Sequence, residues 1–538
     1  MRKRVFVFAL IAAICLSMYT FGFSQESYID NQGFSPIQAS SPKISSFPST
    51  KFTGIKNVTA YTSPDSSYDL TIEYLRSAKF EIDIEIYSIS NGFLVKELND
   101  ALARNHTMEM NVIISEGHAS GAETHWSRAT MYNLSQAKAS IPAPNLNIFE
   151  SNGTEFTFTH AKFIIIDREV VLVQSSNWAK TGIPPDSSYG NREWGVAIKD
   201  QSIVNYFLNV FANDMLIATP YVQNPAHEDT LSGYIPTGSY PDSPNPFSSQ
   251  EFVGSMSIQP VLSPDNSNAT IIQLLRSATS TIDVQQMYIK RYWDAGDDYF
   301  LEELIAAAGR GVTIRVILDG DSSGMDVVRT YLIGNGIETV FDNNTYFEWT
   351  HNKGVIVDGK IVLVSSINWS YESVNENREA GVIIYSRDIA NYFTHVFEWD
   401  WSAAKQKIPT SLSLSVSSAV TPGSNISISA VLTTMDGGTP ISSATIRFYI
   451  DDELLGTSQT GVSGTTTLTW NISDTFTGGS IWARYDESST YGPSTSDIHH
   501  VTTDGTGIPT EWLIIGGVVG GAVVVVIAAV YSLFIKKK

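Results

Sequence analysis

The chain repeats itself once at long period, and this duplication limits its possible folds more than any other feature. Ser63-Pro64-Asp65 and Leu75-Arg76-Ser77-Ala78 return as Ser263-Pro264-Asp265 and Leu275-Arg276-Ser277-Ala278, and Ile82-Asp83 returns as Ile282-Asp283. Near the end of each unit, Asn205-Tyr206-Phe207 with Val210-Phe211 recurs as Asn391-Tyr392-Phe393 with Val396-Phe397. Solenoids repeat every ~20–50 residues, so units this long are whole domains. Two copies of one domain, 53–219 and 253–405, are expected to pack as one body. The stretch between them, 220–252, carries Pro225, Pro236, Pro241, Pro244 and Pro246 among Ser, Gly and Asn, and reads as a connecting loop.

Within the second copy, helix-period and strand-like stretches alternate: Ile271 to Ala278 helical, Thr281 to Tyr288 extended, Tyr299 to Ala308 helical, Val312 to Leu318 β-branched, Asp326 to Ile333 helical. That alternation predicts an α/β fold with helices on both faces of a sheet. From Pro409 the pattern changes. Ser411 to Val416, Ile426 to Val431, Thr445 to Ile450, Thr465 to Trp470 and Ser480 to Tyr485 are short alternating strands between turn residues. Residues 406–503 are therefore expected to form an all-β sandwich. In pattern and size it resembles immunoglobulin-like modules of surface proteins, without a disulfide.

The chain's ends carry targeting signals. Arg2, Lys3 and Arg4 precede an apolar run from Val5 to Phe23, the order of a secretory signal over 1–25. A Ser/Pro-rich spacer follows over 26–52. After a linker at 504–511, the uncharged stretch 512–535 is about 36 Å long as a helix, enough to cross a bilayer. Lys536, Lys537 and Lys538 would keep the tail, 536–538, cytoplasmic and the rest outside. Sequons at Asn57, Asn133, Asn268 and Asn471 are compatible with export. The one cysteine, Cys15, lies in the first apolar run, so the folded part has no disulfide, cysteine-ligated metal or thiol nucleophile. A formal charge of -21 sets the whole-molecule field against polyanions, which disfavours nucleic acid as a partner.

Two of nine histidines stand at equivalent places. Thr159-His160-Ala161-Lys162, continuing to Asp167, is matched by Thr350-His351-Asn352-Lys353, continuing to Asp358. In a strand, residues two apart share a face, so each imidazole has an ammonium beside it. A second apolar strand follows each aspartate, leading to Ser175-Ser176-Asn177-Trp178 and Ser366-Ile367-Asn368-Trp369, and then to Asn191-Arg192-Glu193 and Asn377-Arg378-Glu379.

These residues resemble the signature of the phospholipase D superfamily: HxKxxxxD, then GSxN, then a glutamate. The resemblance covers roughly residues 55 to 405. Gln174 and Ser365 replace the signature glycine, and the first copy has five more residues between histidine and glutamate. The resemblance implies two duplicated α/β/α sandwich domains packed as a pseudo-dimer. It further implies His160 as nucleophile, His351 as general acid and then base, and Glu193 and Glu379 as carboxylates that orient the rings. Lys162, Lys353, Ser175, Asn177, Ser366 and Asn368 would hold the phosphate. Asp167 and Asp358 read as turn anchors. Trp178 and Trp369 either line the cleft or pack in the core, and Arg192 and Arg378 either add positive potential or pair with acids. The remaining histidines have no repeated partner and no assigned role.

The chemistry agrees. A phosphodiester transition state gathers negative charge on its oxygens, which cations and amide donors stabilise. The two lysines, two asparagines and serine hydroxyls supply these without a metal or other cofactor. Imidazole, with an unperturbed pKa of ~6.5, serves as nucleophile or acid near neutrality. The expectation is an exported, membrane-anchored phosphodiesterase acting on phospholipid head-group diesters by hydrolysis or phosphatidyl transfer. A nuclease of the same chemistry is the alternative, and a catalytically inactive surface phosphate-binding or adhesion protein is another. The surface partner of the β-sandwich is unknown.

Overall fold

The computed structural model describes residues 47–503 apart from 116–121, 141–144, 152, 154, 186–188, 229–245, 294–295 and 344–345, together with the pair 514–515. The first copy runs β1 (Phe52–Ser63), α1 (Ser67–Ser77), β2 (Glu81–Ile86), α2 (Gly92–Arg104), β3 (Glu109–Ser115), α3 (Ala122–Ser140), β4 (Asn145–Ser151), β5 (Lys162–Ile166), β6 (Val170–Gln174), β7 (Glu193–Ile198), α4 (Gln201–Ile217) and β8 (Thr219–Pro220). The second runs β9 (Gln250–Ser263), α5 (Ser267–Arg276), β10 (Thr281–Gln286), a short hairpin of β11 (Tyr292–Trp293) and β12 (Gly296–Asp297), α6 (Tyr299–Gly309), β13 (Thr313–Leu318), α7 (Met325–Gly334), β14 (Glu338–Phe341), β15 (Lys353–Val357), β16 (Ile361–Ser365), α8 (Tyr371–Asn375), β17 (Glu379–Tyr385) and α9 (Arg387–Ala404).

Both copies contribute to a single mixed sheet, ordered β14-β13-β10-β15-β16-β17-β9-β1-β7-β6-β5-β2-β3-β4-β8. The order is nearly palindromic about the antiparallel β9–β1 pair, where Val58 faces Phe252 and Phe52 faces Ile258. The copies, expected to pack as a pseudo-dimer, are joined into this one sheet by main-chain hydrogen bonds. Two long edge strands that would each present unpaired N–H and C=O groups instead satisfy one another.

Burial accounts for the helix faces. Leu75 of α1, Leu94, Leu98 and Ala101 of α2, and Ile82, Ile84 and Ile86 of β2 form one core on one face of the sheet. Ile271, Leu301, Leu304 and Val328 build the corresponding core of the second copy. The other face belongs to both copies: Phe207 and Val210 of α4 share a cluster with Phe393, Val396 and Phe397 of α9, together with Trp194. Burial of that shared apolar face, at about 25 cal/mol per Å2, holds the copies together in addition to the sheet.

The last part has β18 (Thr410–Ser415), β19 (Asn425–Thr434), β20 (Thr445–Ile450), β21 (Glu453–Gln459), β22 (Thr465–Asn471), β23 (Gly478–Tyr485), β24 (Ser494–Thr495) and β25 (His499–Thr502). β18, β19 and β22 form one sheet; β20, β21, β23, β24 and β25 form the other. Leu412, Ile428 and Leu432 of the first and Ile446, Phe448, Ile481 and Ala483 of the second share one core. Of the expected membrane helix over 512–535, only Ile514–Ile515 is described, and this pair, β26, lies beside Phe252 and Glu251 of β9. Among the described residues no helix is long and apolar enough to cross a membrane. The expected signal, the linker at 504–511 and the basic tail lie outside the described residues, as does most of the Ser/Pro-rich spacer.

Candidate active site

Each HxK segment enters the sheet through its lysine: Lys162 opens β5 opposite Ile86, and Lys353 opens β15 opposite Gln286. β5 and β6 form a hairpin, as do β15 and β16. Asp167 and Asp358 sit at the hairpin turns with φ of 52° and 53°. Asp167 accepts main-chain N–H bonds from Lys79, Phe80 and Glu81, and Asp358 from Thr279, Ser280 and Thr281. They anchor the strand ends remote from the histidines.

The two histidine segments are held crosswise. His160 donates its main-chain N–H to Arg378 O at 2.7 Å, and Arg378 donates to Phe158 O at 3.1 Å. In the mirror arrangement His351 donates to Arg192 O at 3.1 Å and Arg192 to Trp349 O at 2.8 Å. Each segment that precedes a glutamate is therefore zipped to the other copy's histidine. As a result His160 Nδ1 lies 2.8 and 2.9 Å from the two carboxylate oxygens of Glu379, and His351 Nδ1 lies 2.6 Å from Glu193 Oε1. Each ring is oriented by the opposite copy's acid, leaving Nε2 for chemistry. Close packing makes this possible: a Cβ at Gly354 would lie 2.4 Å from the Trp194 ring, which follows Glu193.

The lysines are fully buried. Lys162 Nζ donates to His160 O at 2.7 Å; Lys353 Nζ donates to His351 O and lies 3.1 Å from His351 Nδ1. Asn177 and Asn368 are buried, and among the described residues the side-chain oxygen of each lacks a hydrogen-bond partner. His160 is 8% exposed, so the site is recessed but reachable.

One expectation changes, and two open alternatives resolve. Ser175 and Ser366, expected on the phosphate, donate their hydroxyl protons to Glu193 Oε2 at 2.6 Å and Glu379 Oε2 at 2.5 Å. A hydroxyl has one proton to give, so these serines steady the glutamates. Trp178 and Trp369 are completely buried in the two copies' cores and do not line a cleft. Arg192 and Arg378 pair with acids: Arg192 with Asp65 and Asp400, Arg378 with Asp265 and Asp214. One acid of each pair comes from the other copy. Sequence reasoning missed Asp214 and Asp400, although both follow the repeated Asn-Tyr-Phe by the same number of residues. It also missed Tyr87, whose ring meets His160 edge-on with centroids 5.0 Å apart, and Ser373, which donates to Glu379.

The electrostatics of the copies differ. Burial, reinforced by the ammonium groups of Lys162 and Lys353, holds His160 well below the usual histidine range. Burial also lowers His351, but the Glu193 carboxylate opposes it. Burial would raise Glu193, yet the His351 charge and hydrogen bond and the Lys353 charge bring it below its ordinary value. Burial pushes Glu379 up to about 7 against Lys162, Ser366 and Ser373. Burial lowers Lys353 to about 8. Among the described residues no group of three or more His, Cys, Asp or Glu side chains is arranged to hold a metal ion.

Comparison with known proteins gives the same region twice. A family model described as "Cardiolipin synthase, PLD-like domain" matches residues 71–215 and 271–401. The virion nicking-joining enzyme of vaccinia virus (strain Copenhagen) is 25% identical over 142 residues, 26% of this chain and 34% of that protein. The mitochondrial cardiolipin hydrolase of Mus musculus is 31% identical over 93 residues, 17% of this chain and 41% of that protein. The chain thus spans well under half the length of these curated relatives. Among solved structures, phosphatidylserine synthase of Haemophilus influenzae Rd KW20 aligns with a TM-score of 0.46 and 16% identity over 62% of this chain and 83% of that one. With one family model matching both copies and just over half of its residues, the chain belongs to the PLD-like domain family.

Proposed function

We propose that this chain is a phosphodiesterase that works by double displacement through a phosphohistidine, without a metal. The observation that carries the reading is the crosswise pairing of His160 with Glu379 and His351 with Glu193, with both lysines close enough to act on the His160 charge. His160, more firmly neutral, attacks phosphorus through Nε2. His351, sustained by an ionised Glu193, protonates the leaving alcohol and then takes a proton from the water or alcohol that releases the phosphoryl group from His160. Lys162, Lys353, Asn177 and Asn368 hold the phosphate oxygens. Glu193 and Glu379 fix the rings.

The substrate we assign is a phospholipid head-group diester, in a body held outside the cell membrane by residues 512–535. The net charge and the apolar terminal stretch support it, and a cardiolipin hydrolase is among the similar proteins. The nicking-joining enzymes supply the competing reading, a nuclease. Purified protein should release p-nitrophenol from bis(p-nitrophenyl) phosphate in EDTA; His160→Ala should abolish release, and His351→Ala should abolish turnover beyond a first equivalent. No turnover by the wild type would leave only a phosphate-binding surface protein. Labelled phosphatidylcholine against single-stranded DNA then decides between lipid and nucleic acid.

A further inference from the structure

One fully buried acid beside the site has no part in this chemistry. Glu85 lies on β2 and accepts the hydroxyl of Thr159, the residue before His160, at 2.6 Å. Its other oxygen, Oε2, is buried and has no hydrogen-bond partner among the described residues, and Asp214, the α4 carboxylate that grips Arg378 from the other copy, lines the same small cavity. Its counterpart in the repeat is Gln285 on β10, two residues after Asp283 as Glu85 is after Asp83. There the amide Nε2 donates to Asp400 Oδ2 at 2.9 Å, and Asp400 grips Arg192. Gln285 Oε1 accepts from Asn352, the neighbour of His351, at 3.2 Å.

Each copy thus has the same succession of groups: an amide or carboxyl on the strand, an aspartate on the helix, an arginine from the other copy, then the main chain of a catalytic histidine. An amide donates to a carboxylate at any pH. A carboxyl group does so only while it keeps its proton. The groups around Glu85 make ionisation costly. Asp214 faces it from α4; Arg378 comes from the second copy with Asp265 already on its guanidinium; Glu155 lines the same small cavity, and Asp83 lies on its own strand. One guanidinium cannot neutralise three buried carboxylates.

We propose that Glu85 is a positioning residue that works as a neutral carboxylic acid, keeping its proton and donating a hydrogen bond through it to Asp214, so that Asp214 holds Arg378 and, through the Arg378 main chain, His160. Burial and the Asp214 charge move Glu85 in the required direction, well above the usual carboxyl range. The inference rests on the phosphodiesterase reading only for its effect on turnover.

The test uses the full chain and infrared spectroscopy, in which a protonated carboxyl has a carbonyl stretch separate from that of carboxylates. The wild-type minus Glu85→Gln difference spectrum at neutral pH should contain that band, and it should shift in deuterated water. An empty difference spectrum overturns the proposal. Gln285→Glu should add a second such band at the equivalent place. In kinetics on bis(p-nitrophenyl) phosphate, Glu85→Ala should lower kcat about tenfold, and Glu85→Gln should recover most of the loss. A Gln variant as slow as the Ala variant counts against the proposal. A raised folded pKa gives stability that is lost as pH rises through it, so Glu85→Gln should gain Tm relative to wild type as the pH is raised. Should Glu85→Ala fail to fold, the Gln variant and Gln285→Glu still decide. An inert wild type defeats the phosphodiesterase reading, while the infrared band still reports on Glu85.

Discussion

At the scale of single residues, the two histidines are alike in sequence and unlike in surroundings. In the proposed mechanism, kcat/KM requires His160 neutral and His351 protonated in the free enzyme. Both are lowered, His160 further, so the profile should be a bell with its optimum below the ordinary histidine pKa of ~6.5. The alkaline limb belongs to His351, which Glu193 holds up. Glu193→Gln removes that support, and the limb should move to lower pH by about one unit; a limb that stays in place would assign it to another group. His351→Ala, given a substrate with a good leaving group, should accumulate phosphate on His160, read by mass spectrometry. Label on His351 in the reciprocal variant alone would reverse the roles. The repeated motifs made the four charged groups legible. What they could not convey was which glutamate serves which histidine, because crosswise pairing comes from contacts between copies and leaves no mark on spacing within either copy.

At the scale of elements, the sequence pattern placed the strands and helices of the second copy within a few residues: α6 buries Phe300, Leu301, Leu304 and Ala307 at helical spacing, and β13 is, after its first residue, a short, continuously buried run rich in β-branched residues. The missing signature glycines also find an explanation in the strands. Gln174 lies opposite Gly195, where a Cβ would come within 2.2 Å of the Tyr61 ring, and Tyr61 donates to Gln174. Ser365 lies opposite Gly381, where a Cβ would come 2.5 Å from Ser365 Cβ. The small residue has moved to the neighbouring strand, a pairing the sequence alone does not reveal. The β5–β6 and β15–β16 hairpins each turn on an aspartate at positive φ. Burial raises Asp358, but its bonds from Thr281, Thr279 and Ser280 hold it below its ordinary value. A depressed carboxyl stabilises the fold above its unfolded pKa and loses that contribution as pH falls through the folded one. Asp358→Asn should therefore cost about 1–2 kcal/mol near neutrality, discounted for partial exposure. The cost should shrink in acid, as followed by urea unfolding. An equal loss at all pH values would show that shape, not charge, anchors the turn.

At the scale of the whole molecule, the two-sheet domain rests on α9, the helix that also supplies Asp400 to Arg192. Asn391 of α9 donates to Ser496 O, Glu398 accepts from Thr495, and Gly492 is so close to Ser402 that no Cβ would fit. Surface pairs such as Lys360 and Arg387 with Asp452 add little to this buried seam. The acidic total matters more for the substrate than for the fold. With 55 acidic against 34 basic side chains, the long-range field opposes a polyanion, while the cations that would hold one phosphate are recessed and few. A protein built for nucleic acid loses affinity with salt as counterions are released from a basic track. Here the sign should be reversed. With single-stranded DNA as substrate at subsaturating concentration, the cleavage rate should rise as salt is raised from about 10 to 150 mM, since the screening length falls from ~30 to ~8 Å. A zwitterionic phospholipid in neutral micelles carries no net charge for that field to act on, so its rate should stay nearly flat over the same range. If the DNA rate instead falls steeply with salt, a basic track dominates the field and the nucleic-acid reading takes precedence over the lipid one.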